Sequence, residues 1–259
     1  MEKFTPEYFD SKQYTKTQIA KYESIYGRNF ISPGGERTST AFLKRLGLKR
    51  GMRVLDIGCG IGGSAFQMAR KYGVGVDAID ISRNMIEIGH ARCKEEGLED
   101  QVRLFHGDCL EMDYDRTYDA VHSRDVFLHI HDKNRLFSLI QKLLLPKGIL
   151  AFTDYCCGKE PASREFNEYV EERGYCLHTV DEYRRLLEQA GFVQIQVEDR
   201  TDQFIEIHQR ELANLSKDTP GAEDADDLTS GWTAKIQRAQ EGEQRWGWFM
   251  ARKPVARDG

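Results

Sequence analysis

An α/β fold built on an open, mostly parallel, doubly wound sheet of seven strands is what this sequence predicts, and three observations predict it. Short apolar runs alternate with stretches of helical character, which implies strands joined by right-handed crossovers. The first run ends in closely spaced glycines, as a strand feeding a helix needs where a ligand must approach the backbone. A length of 259 residues with 40% hydrophobic side chains can bury one sizeable core, and fits one decorated domain better than two.

The elements follow in order. RVLDIG (53–58), VGVDAID (74–80), VRLFHGD (102–108), YDAVHS (118–123) and GILAFTDY (148–155) read as strands. Ser82 is placed to cap the helix after the second strand. Asp132 is placed to cap a helix through LFSLIQKLLL (136–145), which Pro146, Lys147 and Gly148 stop. Beyond residue 155 the rhythm changes: SREFNEYVEERG is a helix closed by Gly174, TVDEYRRLLEQAG a second closed by Gly191, and FVQIQVED a sixth strand. A polar helical stretch over about 201–242 precedes the last strand, RWGWFMARK (245–253). Helices between strands five and six, and again before strand seven, are expected to cap the carboxyl edge of the sheet, where open α/β sheets bind ligands. The acidic segment PGAEDADDLTSG (220–231) reads as an exposed loop. The expected layout is a single domain over 1–259, with N-terminal lid helices in 1–45, a binding core in 46–155, and a helical cap with the last two strands in 156–259.

Composition excludes several classes. Against 42 acidic residues stand 37 basic ones, so no general attraction to nucleic acid or anionic membranes is expected. No apolar run approaches the roughly 18 residues of a membrane span, and the N-terminus lacks a signal-peptide pattern, so a soluble, cytoplasmic protein is expected; the sequence does not give its oligomeric state, for which a monomer is favoured. The six cysteines (59, 93, 109, 156, 157 and 176) are expected to be reduced thiols. Without a C-x-x-C pair, and with His129 near His131 and Cys176 near His178 isolated, no metal is expected. His131, Cys157, Trp232, Trp246 and Trp248 read as packing residues, the last two facing one layer of a strand.

The most informative stretch, 54–63, reads VLDIGCGIGG. By spacing alone Gly58, Gly60 and Gly63 satisfy the dinucleotide fingerprint, so a nicotinamide enzyme stays open at this point. Asp56 completes D-x-G-x-G-x-G, which resembles the turn of class I (Rossmann-like) S-adenosylmethionine-dependent methyltransferases. Asp80 ends the second strand, where a carboxylate can accept both ribose hydroxyls. Asp108 ends the third, where the methyltransferase pattern has a group bonded to the adenine amino group. A nicotinamide enzyme shares Asp80 but has no particular need of Asp56.

QYT (13–15), SPGG (32–35), SRDVFLH (123–129), TDYC (153–156), EYVEERGY (168–175), SGW (230–232) followed by Lys235, and QRWGWF (244–249) carry a narrower resemblance. Together they are similar to the phosphoethanolamine N-methyltransferases of plants, nematodes and malaria parasites, over nearly the whole chain. That resemblance implies N-methylation of a small-molecule phosphobase toward phosphocholine, with S-adenosyl-L-methionine as donor and S-adenosyl-L-homocysteine as product. It implies Tyr14, Asp125 and His129 as the catalytic group, and Tyr155, Tyr169, Arg173, Tyr175 and Lys235 as phosphate ligands. On the cofactor side, Ser32 matches a residue near the methionine carboxylate, Ile81 and Cys109 flank adenine, and Ser123 and Arg124 of the SRDVFLH match are included. Residues 173–203 look more like the domain type that takes the mono- and dimethylated intermediates.

The chemistry has its own logic. An alkylammonium with a pKa near that of lysine, about 10.4, is mostly protonated at pH 7, and deprotonating it costs roughly 4–5 kcal/mol, so a base is useful. Asp125 and His129 stand four apart, which puts them on one face if the segment turns helical and lets the carboxylate orient the imidazole. Tyr169 and Arg173 are likewise i, i+4, with Tyr175 just beyond, so phenols and a guanidinium can converge on a phosphate. Tyrosine faces suit a methylated ammonium. A methyltransferase for another small molecule, and a noncatalytic cofactor-binding domain, remain the alternatives.

Overall fold

Runs of valine, leucine, isoleucine and alanine make strands that can be buried on both faces, and all five early runs become parallel strands. The computed structural model describes residues 5–158, 161–218 and 223–255. Within it the early strands are β1 (Arg53–Ile57), β2 (Gly75–Asp80), β3 (Val102–His106), β4 (Tyr118–Arg124) and β5 (Leu144–Cys157). The two late ones are β6 (Val193–Asp199) and β7 (Gln244–Arg252). Their order is β3-β2-β1-β4-β5-β7-β6. β7 inserts antiparallel between β5 and β6, opposing Phe249 to Phe152 on one side and Gly247 to Asp199 on the other.

A short α1 (Pro6–Tyr8) runs on into a π-helical turn (Phe9–Gln13), followed by α2 (Lys16–Tyr26) and α3 (Gly35–Leu43). The crossovers are α4 (Gly63–Tyr72), α5 (Arg83–Glu95) and α6 (Lys133–Leu143). After β5 come α7 (Arg164–Arg173) and α8 (Val180–Gln189), and after β6 come α9 (Thr201–Asp218) and α10 (Glu223–Gln240). The caps are those the sequence predicts. Ser82 Oγ accepts from Met85 N at 3.2 Å, and Asp132 Oδ1 from Arg135 N at 2.9 Å. Each such cap is worth about 1 kcal/mol. Gly174, at φ 66°, ends α7 in the left-handed conformation that a side chain resists.

Two apolar layers flank the sheet. Phe137, Phe152, Tyr183 and Phe249 fill one, with the Phe152 and Phe249 rings stacked at 4.5 Å. Phe42, Phe66, Trp246 and Trp248 lie in the other; the two tryptophans face the same side, as their alternation predicts, with rings 5.6 Å apart. Among the described residues no helix is long and apolar enough to cross a membrane.

Two expectations change. The helix α8 packs on α6, β6 and β7, so it belongs to a sheet face, and only α7 of that pair reaches the carboxyl edge. The acidic segment expected as a loop is helical from Glu223 onward, inside α10. Ala225, Leu228 and Trp232 recur at helical spacing there, and that period outweighs the local charge. Positions 220–222 lie outside the described residues.

The strand order reverses between β1 and β4. Chain leaving the carboxyl ends of those two strands flanks the switch point, where doubly wound sheets place ligands.

Candidate active site

The turn after β1 is held by its neighbours. The N–H groups of Gly58 and Cys59 donate to Ile79 O at 2.8 and 3.0 Å, and Gly60 N donates to Asp80 Oδ2 at 2.8 Å. Asp80 Oδ1 accepts from Ser82 N at 2.9 Å, and burial pushes its carboxyl up to about 6. A Cβ on Gly58 would stand 2.2 Å from Val126 Cγ2, so the glycine is there for close approach. Its φ of +71° adds left-handed strain of about 1–2 kcal/mol for any side chain. Gly58→Ala should therefore lower folding stability by at least that amount, read as a lower urea midpoint; an unchanged midpoint would contradict the packing described. Beneath the turn, Asp56 Oδ1 lies 2.7 Å from His122 Nδ1, while Asp56 Oδ2 is buried without a partner.

Past β4 the chain makes a sharp exit. Asp125 takes φ +57° and turns its carboxylate toward the sheet, where Oδ1 accepts from Thr153 Oγ1 at 2.9 Å and Trp246 Nε1 at 2.8 Å. Its Oδ2 is buried with no partner. A single 3-10 turn (Phe127–His129) then presents His129. Tyr14 Oη lies 3.4 Å from His129 Nε2, with Phe9 and Tyr175 edge-on to the imidazole at 5.3 and 5.2 Å. Burial pushes the imidazole down to about 4, helped by Lys133 and Arg173, so it is neutral at pH 7. Its Nδ1 is also buried and partnerless. Asp125 therefore does not hydrogen-bond His129, contrary to expectation. The i, i+4 argument presumes an α-helix, and a left-handed residue followed by one 3-10 turn aims the two side chains apart.

The turn bearing His129 is braced from behind. Leu128 N donates to Asp154 Oδ1 at 3.2 Å, and Cys176 N donates to Leu128 O at 2.7 Å. Buried Lys133 donates to Ile130 O at 2.5 Å and to Cys176 O at 3.1 Å.

A third set comes from the cap. Tyr155 from β5, Tyr169 and Arg173 from α7, Tyr175 beyond it and Lys235 from α10 line the same cavity. The Tyr169 and Tyr175 rings meet edge-on at 5.7 Å, and Lys235 Nζ sits 4.8 Å from the Trp232 ring centre and 6.0 Å from that of Tyr155. Burial, with Arg173 close by, pushes the Lys235 ammonium down to about 8. Two cations and three phenols facing one small space can hold a compact anion such as a phosphate.

These ends belong to one cavity of about 410 Å³. Tyr14, Ser32, Asp56, Gly58, Gly60, Asp80, Ile81, Asp108, Cys109, Arg124, Asp125 and His129 line it with the cap residues. Ser123 does not: its hydroxyl donates to Ile57 O at 2.8 Å, fully buried between β1 and β4. Alternation turns it away from the neighbour that faces the ligand. Arg124 acts mainly on the 32–35 loop, donating to Pro33 O at 2.8 Å and Gly35 O at 3.5 Å. Asp108 is exposed and caps its own turn, accepting from Leu110 N at 2.8 Å. His131 is exposed at the cavity mouth rather than packed.

Several lining or bracing residues had no signal in the sequence. Asp10 accepts from Ser82 Oγ at 2.5 Å and from the N–H groups of Arg83 and Asn84 at 3.2 and 3.3 Å, pinning the N-terminal segment to the start of α5. Asn84 Nδ2 donates to Tyr14 O at 3.0 Å. Gln13, Tyr22, Tyr26 and His122 also line the cavity. A polar residue in a polar segment carries no mark of a partner some 70 positions away.

A methyltransferase-domain family model matches residues 34–197. Phosphoethanolamine N-methyltransferase 1 of Zea mays is 44% identical over 253 residues, covering 95% of this chain and 50% of that protein. The phosphoethanolamine N-methyltransferase of Plasmodium falciparum is 33% identical, with 95% of each chain covered. Phosphoethanolamine N-methyltransferase 2 of Haemonchus contortus, solved with phosphomonomethylethanolamine and S-adenosylhomocysteine, superposes with a TM-score of 0.91 at 38% identity, covering 95% of this chain and 59% of that one. The chain thus spans about half the length of the plant relatives it matches.

Proposed function

We propose, from the premise that this chain belongs to the phosphoethanolamine N-methyltransferase family, that it transfers methyl groups from S-adenosylmethionine to phosphoethanolamine-type amines. One observation carries the reading: a glycine-turn site, a neutral imidazole and a two-cation anion pocket share a single cavity. When bound, S-adenosylmethionine supplies a sulfonium methyl, the electrophile. The chain's residues fit that donor. Gly58 and Gly60 leave backbone free of Cβ atoms, and Asp80 offers acceptors for the ribose. Ser32, Ile81, Asp108 and Cys109 complete the wall around it.

On the acceptor side, Arg173, Lys235, Tyr155, Tyr169 and Tyr175 bind the phosphate and so fix the amine beside His129. Neutral His129 is the base, and Tyr14 holds and orients it. The phosphate's negative charge offsets Arg173, which helps keep the empty-site imidazole low, so substrate binding raises the basicity of His129. Asp125 takes a role other than orienting the histidine: its partnerless Oδ2 accepts from the ammonium or balances its charge. Phe9, Tyr14 and Tyr175 surround this point with ring faces and edges suited to N-methyl groups.

The mono- and dimethylated phosphobases are the preferred substrates in this reading, on the likeness of residues 173–203. Single-turnover rates with phosphoethanolamine and its mono- and dimethyl forms test it; equal rates on all three overturn the preference. Calorimetry with ethanolamine against phosphoethanolamine tests the larger claim, since only the second engages Arg173 and Lys235. The unit acts as one domain, with 1–45 as lid, 46–155 as core, and 156–259 supplying the substrate cap together with the last two strands and α8 on the sheet, in a reducing, cytoplasmic setting that suits its six free cysteines.

A pH effect follows from Asp80. Its carboxyl, pushed up to about 6 by burial, accepts strong, charge-assisted bonds from both ribose hydroxyls while ionised, and on protonation one oxygen becomes a donor. As pH falls through 6 the carboxylate is lost, and donor affinity should weaken by up to about tenfold per unit. Calorimetric titration of S-adenosylhomocysteine at pH 8 and pH 5 reads this directly. Asp80→Asn should flatten the dependence; a dependence left intact in that variant assigns it elsewhere.

A further inference from the structure

Glu211 on α9 is a buried carboxylate, 5% exposed, that the proposed chemistry does not use. Its oxygens are divided between two parts of the molecule. Oε1 accepts from Gly34 N at 2.7 Å, and Oε2 from the indole N–H of Trp232 at 3.0 Å. Each of these partners adjoins residues at a different end of the cavity: Gly34 follows Ser32 and Pro33, and Trp232 packs against Lys235.

Gly34 sits in the loop that lies against the glycine turn. A Cβ on Gly60 would stand 2.8 Å from Ile31 Cδ1, and one on Gly63 would stand 2.2 Å from Asn29 O, so this loop packs directly on the turn. Arg124 grips the same loop from β4, through Pro33 O and Gly35 O. Trp232, on α10, carries Lys235 Nζ over its ring at 4.8 Å. Tyr26, at the end of α2, packs on the other side of this group, its ring 5.7 Å from that of Trp232.

We propose that Glu211 is a positioning residue that couples the two ends of the cavity, so that an adenosyl ligand at the glycine turn and a phosphomonoester at Lys235 tighten each other's binding. One carboxylate fixes both the loop and the lysine-bearing helix. A ligand that holds either one steadies the shared carboxylate and delivers the other already placed. Linkage makes the effect reciprocal. The inference rests on the function proposed above, and its test separates the two.

The affinity of S-adenosylhomocysteine is measured with and without saturating phosphomonomethylethanolamine. The intact protein should bind it about tenfold more tightly when the phosphobase is present. In Glu211→Gln one amide N–H₂ must face a donor, so one of the two contacts is broken. That variant should bind each ligand alone within about threefold of the original, with the tenfold enhancement gone. A purely structural role would instead lower thermal stability and weaken both ligands together, enhancement intact.

Trp232→Phe provides a second reading. It keeps a ring beneath Lys235 and the Gly34 contact but removes the indole donor, and it should lose the enhancement as well. Enhancement retained in either variant, or absent from the intact protein although both ligands bind, overturns the coupling. Failure of both variants to fold makes Glu211 a structural residue and overturns it equally. If the intact protein binds no phosphobase at all, the functional reading fails, and the coupling with it.

Discussion

His129→Ala should lower kcat by about 10²–10⁴-fold, the range a positioned base contributes, while KM for the phosphobase moves little. The imidazole is the neutral ring facing the cavity at the meeting point of Tyr14, Phe9 and Tyr175. In the proposed reaction it takes the amine proton once a phosphate is seated at Arg173. Tyr14→Phe removes only the hydroxyl that lies 3.4 Å from Nε2, so its loss should be smaller, and in kcat rather than in KM. S-adenosylhomocysteine affinity in the histidine variant serves as the control, because His129 touches neither Asp80 nor the glycine turn. An unchanged kcat would remove the base from the mechanism and leave placement of the amine as the source of rate.

The second large effect lies at the other end of the cavity. Arg173→Ala should raise KM for phosphoethanolamine derivatives by at least about a hundredfold, as expected when one partner of a desolvated, hydrogen-bonded charge pair is removed at a cost of about 2–5 kcal/mol. Lys235→Ala should act in the same direction. Its ammonium, already pushed down to about 8, also makes phosphate binding weaken as pH rises through that value, because the charge that attracts the anion is then lost. If neither variant changed KM, the substrate would be an uncharged molecule and the methyltransferase a different one. If turnover were absent in the intact protein with S-adenosylmethionine still bound, the noncatalytic reading would stand.

Much of the fold was legible because it is periodic. Each strand alternates or runs apolar, and Ser82 and Asp132 announce their helices by composition alone. The glycine turn was legible for a different reason, since several positive φ values within six residues leave few alternatives to glycine. What escaped was set by distance or by an unusual backbone. Asp125 at φ +57° could not be read from spacing that presumes a helix. Asp10 and Glu211 act on partners 72 and 177 positions away, and nothing beside them in the chain marks it. Of α10, which falls within the helical stretch over 201–242, only the start reads as a loop, because its aspartates and glutamates mask the helical period there. Ser123 shows the converse: likeness over a whole segment does not assign each of its residues, because alternation along a strand turns every second one away from the ligand.

Trp246 belongs to the last strand, yet its indole N–H holds Asp125 in the middle of the chain. During synthesis the core strands, the glycine turn and His129 all leave the ribosome before that brace exists. The acceptor end is therefore assembled across the sheet: the carboxylate comes from the exit of β4, and the group that fixes it comes from β7.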